Sequence, residues 1–245
     1  INTLFSAGGN IIDAGSNIGN HTVFFSKFYK PEKIFCFECN PTAIALLQEN
    51  LALNNCNNVD QFFLGTGLSD HEHEGSLDAS KANNLGATSF KKTDNGDIEF
   101  QPLDSFKLQN IKLIKVDCEG MDLQIIRGAK EIISRDEPII FFECFNEQYE
   151  PACRLMKELG YKIIHEFPYV NSKNIVAEKA TNSLSTPVTL EYISPNRYLY
   201  FVIPKAGSAT VRHSLKEFTD IGYPVTQFEQ HLSINQFLKM EGAKK

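Results

Sequence analysis

No run of about 18 consecutive apolar residues occurs in this chain, so a transmembrane helix is not expected. Positive charge is also scarce. Lys and Arg number 24 against 30 Asp and Glu, a formal charge of −6, which gives no electrostatic reason to expect nucleic acid as a partner. The G-x-G-x-x-G signature of dinucleotide enzymes is missing. An initiator Met is missing too: the opening Ile1-Asn2-Thr3-Leu4-Phe5 reads as that of a fragment. Absence of a signal peptide therefore says little about the parent protein, and the expected location is cytoplasmic. Six cysteines are present, but a chain of 245 residues has no need of disulfide staples. Cys36 and Cys39 form a C-x-x-C pair that straddles a strand end rather than a helix N-terminus, so buried, inert thiols are expected. With 42% hydrophobic and 22% charged residues, the composition is that of an ordinary globular protein.

What is present begins at residues 11–20, Ile-Ile-Asp-Ala-Gly-Ser-Asn-Ile-Gly-Asn. Apolar residues lead into Asp13, Gly15 and Gly19 bracket a short loop, and Thr22-Val23-Phe24-Phe25 follows. That pattern is a buried strand, a tight turn and a helix start. The glycines allow close backbone approach to a ligand, and the helix N-terminus offers free N–H donors. A second apolar strand, Lys33–Phe37, ends at Glu38, 19 residues after Gly19. An acid about 20 residues beyond a glycine loop suits ribose hydroxyls. Asp13 inside the loop would repel a pyrophosphate but suits a cation. S-adenosylmethionine, with its ammonium and sulfonium, fits better than NAD. The bland alternative is a strand–turn with no ligand, in which Asp13 caps the helix.

Further along, a helix is expected over 43–53 with Pro41 in its first turn. Residues 61–70 read as a third strand ending in Asp70, and 71–98 as a long polar loop or irregular hairpin. His71 and His73, alternating with Glu72 and Glu74, read as part of a solvated loop, and no metal site is expected. Phe100–Phe106 suggests a short strand or helix entry. A fourth strand is expected over 111–117, a helix over 123–134 and a fifth strand over 138–143. A helix over 149–159, a strand over 161–165 and a last strand near 174–177 complete the series. Alternating buried strands and amphipathic helices imply an α/β fold, a mostly parallel doubly wound sheet with helices on both faces. Ligands sit beyond the carboxyl ends of such strands, where Asp13, Glu38, Asp70, Asp117, Glu119 and Glu143 fall.

Residues 11–20, Phe37-Glu38-Cys39-Asn40-Pro41, Gly67-Leu68-Ser69-Asp70, Leu113–Gly120 and Phe142-Glu143 resemble the FkbM family of S-adenosylmethionine-dependent methyltransferases over roughly residues 1–178. The Lys-Val-Asp-x-Glu-Gly element is the most specific part. The resemblance implies a Rossmann-like class I methyltransferase acting on a hydroxyl of a carbohydrate or natural product. It places Asp13, Gly15 and Gly19 around the methionine moiety, Glu38 on the ribose and Asp70 at the adenine amino group. Asn17, Asn40 and Ser69 join that cofactor set. Asp117, Glu119 and Glu143 are the expected catalytic residues, the first two lining the site opposite the methyl group; His21 and His165 are further candidates for the base. The loop departs from the family pattern by reading Ala14-Gly15-Ser16-Asn17 for Gly-Ala-Asn, and Cys39 stands where a proline or small residue is usual. The sequon at Asn20-His21-Thr22 lies in the cofactor loop and reads as chance.

From 179 to 196 the composition turns to Thr, Ser, Asn and Pro, a linker. Arg197–Ile203 then reads as a strand, followed by a Lys/Gly/Ser/Thr loop and a helix over 211–218. This stretch resembles the 5′-phosphosulfate loop that opens sulfotransferase domains. The resemblance puts Lys205, Gly207, Ser208, Ala209 and Thr210 on the 5′ end of 3′-phosphoadenosine-5′-phosphosulfate in the full-length parent. Residues 197–245 hold only part of such a domain, so sulfotransfer by this chain alone is not expected. The alternative makes 198–203 the last strand of the first sheet. Methyl and sulfuryl groups both decorate carbohydrate hydroxyls, so a glycan acceptor is expected. The rival function is a non-catalytic nucleoside-binding module attached to a sulfotransferase; a third, NAD-dependent oxidoreduction, is disfavoured by the loop.

Overall fold

A computed structural model describes residues 8–77, 90–93 and 95–180. The readings made on 181–245, including Lys205, Gly207, Ser208, Ala209 and Thr210, lie outside the described residues. The frame is a seven-stranded sheet. Its strands are β1 (Asn10–Ala14), β2 (Lys33–Phe37), β3 (Val59–Asp60), β8 (Ile111–Val116), β9 (Ile139–Phe145), β10 (Tyr161–Pro168) and β11 (Ser172–Lys179). Their order is β10-β11-β9-β8-β1-β2-β3. β3, β2, β1, β8 and β9 run parallel, while β11 pairs antiparallel with both β9 and β10.

The inner strands are apolar on both faces because helices cover both. On one face Ile11, Ile34, Leu113 and Phe141 meet Val23 of α1 (Asn20–Phe24), Phe25 and Tyr29 of the π turn that continues it, and Leu47 and Leu51 of α2 (Pro41–Leu53). On the other, Ile12, Phe35, Ile114 and Phe142 meet α3 (Asp122–Arg127), α4 (Lys130–Asp136) and α5 (Tyr149–Glu158) through Ile125, Ile126, Ile132, Ile133, Leu155 and Met156. Asn40 starts α2 by accepting the Thr42 N–H, with Pro41 at the first position. Among the described residues no helix is long and apolar enough to cross a membrane.

The structure revises several of these expectations. The apolar run at 61–70 is not one strand: 61–66 turn, and β4 (Gly67–Leu68) joins a separate four-stranded sheet. Phe63 explains the false signal, since it stacks on Phe37 at 5.0 Å from a turn, apolar for packing rather than for a strand. The polar stretch 71–98, expected as a long loop or an irregular hairpin, holds the antiparallel partners β5 (His73–Leu77) and β6 (Phe90–Lys92), with β7 (Ile98–Gln101) beside β4 and β5. The helix at 123–134 is two helices. Ser69 crosses so close to Gly128 that a Cβ there would lie 2.2 Å from its carbonyl, and Asp104 caps the second helix through the N–H groups of Glu131 and Ile132. Lastly, β9 runs two residues past Glu143, which places that acid inside the strand. The fold reaches Ala180, whose N–H donates to Gly160, so the expected linker starts no earlier than 181.

Candidate active site

β1 is the point where the chain reverses its direction of travel across the sheet, β2 lying on one side and β8 on the other. Open α/β sheets bind ligands in the crevice above such a point. The loop after β1 needs its glycine. Gly15 has φ +72°, and a Cβ there would lie 1.9 Å from the Asp117 carbonyl of the β8 loop. Gly15 and Ser16 donate their N–H groups to the Phe37 carbonyl, and Asn17, at φ +48°, donates its own to Glu38 Oε2 at 2.9 Å. From α2, Asn50 Nδ2 donates to the Ile18 carbonyl at 2.7 Å. Gly19 follows at φ +91° as the residue before α1. The turn is therefore tied to β2, β8 and α2 together.

The paired registers end at Ala14 with Phe37 and Val116, and at Val116 with Phe142. The next row across the crevice is Gly15, Glu38, Asp117 and Glu143. Glu143 stands in register with Asn174 of β11 and accepts Ser172 Oγ at 2.8 Å. Glu38 Oε1 accepts the N–H groups of Cys39 and Asn40 at 2.9 and 2.8 Å. With Asn17 on Oε2, three of about four lone-pair positions are filled, and one on Oε2 remains. Burial pushes the Glu38 carboxyl up, against those N–H bonds and the Lys115 charge.

Asp13, expected beside the methionine moiety, is instead fully buried beneath the turn. Its Oδ1 lies 3.0 Å from Lys115 Nζ and its Oδ2 accepts Thr22 Oγ1 at 2.6 Å. That corrects its role: it anchors the turn from below. Lys115 also donates to the carbonyls of Ala14 and Gly15, at 3.2 and 2.6 Å. Burial works against the ammonium, but Asp13 and Asp117 outweigh it and hold its pKa above the ordinary lysine value. Three more residues of the expected cofactor set have partners within the fold. Asn40 spends its side chain on capping α2 and its N–H on Glu38, so it supports the acid. Ser69 is fully buried against Gly128, and Asp70 is exposed after β4 with His71 Nδ1 at 2.7 Å from its Oδ1, which lowers its pKa. Neither belongs to the row formed by Gly15, Glu38, Asp117 and Glu143.

The outer part of the crevice holds acids. Asp117 follows β8, and Glu119 and Gly120 turn the loop with φ of +50° and +94°. Asp122, at the start of α3, is fully buried and accepts the N–H groups of Gly120 and Cys118 at 3.1 and 3.4 Å. Burial first, then the charges of Asp117 and Glu143, push its carboxyl up to about 7. Burial and Asp117 likewise raise Glu143. Lys115 and Asp122 were missed as site residues although both lie in or beside the quoted Lys-Val-Asp-x-Glu-Gly element. Of the histidines, His21 packs between Phe25 and Phe141, and His165 is exposed on β10, beyond β9 and β11. All six cysteines are free, and burial pushes the Cys36 thiol up to about 12. Among the described residues no group of three His, Cys, Asp or Glu side chains is arranged to hold a metal ion.

Residues 13–163 match the model of the methyltransferase FkbM domain. The chain belongs to the FkbM methyltransferase family. It is 25% identical over 145 residues to Methyltransferase 1 of Beauveria bassiana, covering 49% of this chain and 58% of that protein. It is 26% identical over 181 residues to the 2-O-methyltransferase NoeI of Sinorhizobium fredii, covering 64% of this chain and 74% of the relative. The crystal structure of an FkbM methyltransferase from Methylobacillus flagellatus superposes with a TM-score of 0.53 at 15% identity, covering 71% of this chain and 45% of that one. That likeness shows the class I methyltransferase fold. The chain thus spans little more than half of the Beauveria relative and under half of the Methylobacillus protein.

Proposed function

We propose that this FkbM-family chain binds S-adenosylmethionine above β1 and β8 and methylates a hydroxyl oxygen of a small-molecule acceptor, a carbohydrate or natural product. The observation that carries this reading is Glu38, held by three backbone N–H groups with one lone pair left on Oε2 for a ribose hydroxyl. The other residues fit the same cofactor. The turn at Gly15 and Asn17 shapes the floor, and the carboxylates of Asp117 and Glu143 suit its positive groups. S-adenosylmethionine would supply a sulfonium-activated methyl carbon, which an acceptor oxygen would attack in line as the thioether of S-adenosylhomocysteine leaves. Asp117, Glu119 and Glu143 face the acceptor side. Glu143 is the favoured acceptor of the hydroxyl proton, because a carboxylate of raised pKa matches that transfer better than an ordinary one. Ser172 orients it from β11. The name of the Sinorhizobium relative supports oxygen as the methylated atom.

The sequence supports a further division: the methyltransferase up to Ala180, a linker from there to 196, and 197–245 as the start of a sulfotransferase-like segment. In the parent protein Lys205, Gly207, Ser208, Ala209 and Thr210 would then hold 3′-phosphoadenosine-5′-phosphosulfate, and a glycan acceptor would serve both donors.

Calorimetric titration of the chain with S-adenosylmethionine, and with NAD as control, tests the first reading. Micromolar binding of the former alone, lost in Glu38→Ala, is expected, followed by S-adenosylhomocysteine release with hydroxylated acceptors. A folded chain that binds neither ligand would sink it. Binding without turnover on any acceptor would favour the nucleoside-binding module. Titration of the full-length parent protein with adenosine 3′,5′-bisphosphate checks the tail: binding lost in Lys205→Ala supports it, and no binding removes it.

A further inference from the structure

Lys115 takes no part in the chemistry proposed above, yet its ammonium lies against three oxygens beneath the glycine turn. Neutralising Asp13 would need one of these contacts. The other two go to the carbonyls of Ala14 and Gly15, at 3.2 and 2.6 Å. Two residues on, the same turn presents the Asn17 N–H to Glu38 Oε2, while Gly15 and Ser16 hold the Phe37 carbonyl. The turn is thus gripped from below by a lysine on β8 and from the side by the end of β2.

We propose that Lys115 is a positioning residue for the cofactor: by holding the Ala14 and Gly15 carbonyls it sets the turn that aims Glu38 at the ribose. The proposal rests on the methyltransferase reading. Its effect reaches the ligand through two links, the peptide from Gly15 to Asn17 and the Asn17–Glu38 hydrogen bond. Asp13 is the counter-charge that lets the ammonium stay buried, and Thr22 holds Asp13 from α1.

The test compares three proteins by S-adenosylmethionine titration and thermal melting: wild type, Asp13→Asn, and Asp13→Asn with Lys115→Met. Neither variant strands a buried carboxylate, and in Asp13→Asn the Asp117 charge still faces the ammonium. That variant removes one counter-charge but leaves both carbonyls within the lysine's reach, so it is the reference against which loss of the lysine is read. The double variant is expected to bind about tenfold or more weakly, as when an orienting partner is removed, while melting within about 5 °C of the single one. Its binding should also fail at higher pH as the solution is acidified. Glu38 would keep only the Cys39 and Asn40 N–H groups, with the Cys39 and Cys118 thiols nearby and the Lys115 charge gone. A double variant that binds like Asp13→Asn would overturn the proposal, leaving Lys115 as a counter-charge alone. Should Lys115→Met unfold, Lys115→Leu repeats the comparison; unfolding of both beside a folded Asp13→Asn would make Lys115 a folding residue and overturn it too. A wild type that binds no S-adenosylmethionine would overturn the methyltransferase reading and this proposal with it.

Discussion

Asp13 and Asp122 are both fully buried carboxylates near the carboxyl ends of adjacent strands, and their surroundings are opposite. Asp13 lies on a lysine ammonium with a threonine hydroxyl on its other oxygen. Asp122 has two backbone N–H groups and faces the charges of Asp117 and Glu143, and its carboxyl is pushed up to about 7. Beneath the glycine turn, charge is fully committed to architecture. Along the β8 and β9 ends it is left undercompensated, so the Asp122 proton is held or released near neutrality and Glu143 is raised in the same direction. The proposed transfer, which grips a cofactor and accepts a proton from a hydroxyl, would use both conditions a few residues apart.

The sharpest way to break the inner half is Lys115→Met with Asp13 left in place. A buried carboxylate without its partner costs about 3–5 kcal/mol, so urea denaturation should show a loss of that size. A loss near zero would mean the pair contributes little to the turn.

The outer half is broken by removing a titration. Between about pH 4 and 7 the unfolded chain has released the Asp122 proton and the folded chain still holds it, so stability falls as pH rises. The fall due to this group is about 4 kcal/mol across that window. Glu38 and Glu143, raised in the same direction, add to the slope. Asp122→Asn should therefore flatten much of the decline seen by denaturation at a series of pH values. An unchanged slope would place the carboxylate in a far better compensated environment.

Ser172→Ala sharpens the outer half more gently. Removing the hydroxyl from Glu143 should cost about 0.5–1.5 kcal/mol and raise that carboxyl further, moving the acid limb of any methyl-transfer pH profile upward. His165→Ala, exposed on β10, stands outside both halves and should stay within about 0.5 kcal/mol of wild type with unaltered transfer. A large loss of activity there would return His165 to the candidate bases.

The inner half was legible where its signals are local. Ile11-Ile12 before the turn, Gly15 with its positive φ, and Glu38 at the end of β2 are all readable from spacing. The cation beneath them was not, because Lys115 meets Gly15 from 100 positions away and looks like any lysine in an apolar strand. The same distance problem hid the break between α3 and α4, whose cap, Asp104, comes from 27 positions upstream. Asp13 was misassigned for a related reason: an acid in a glycine loop attracts a cation, and the cation turned out to be the protein's own. Asp70 looked like a strand-end acid because Phe62-Phe63-Leu64 mimics a strand, whereas those residues turn and Phe63 packs on Phe37 and Phe106.

A crystal structure of the chain with S-adenosylhomocysteine bound tests the central claim most directly. The account predicts a ribose hydroxyl within about 2.6–3.2 Å of Glu38 Oε2. It also predicts the sulfur above the row of Asp117 and Glu143, with the Lys115 contacts to Ala14 and Gly15 retained. A nucleoside seated elsewhere, with Glu38 touching only its three backbone donors, would contradict it.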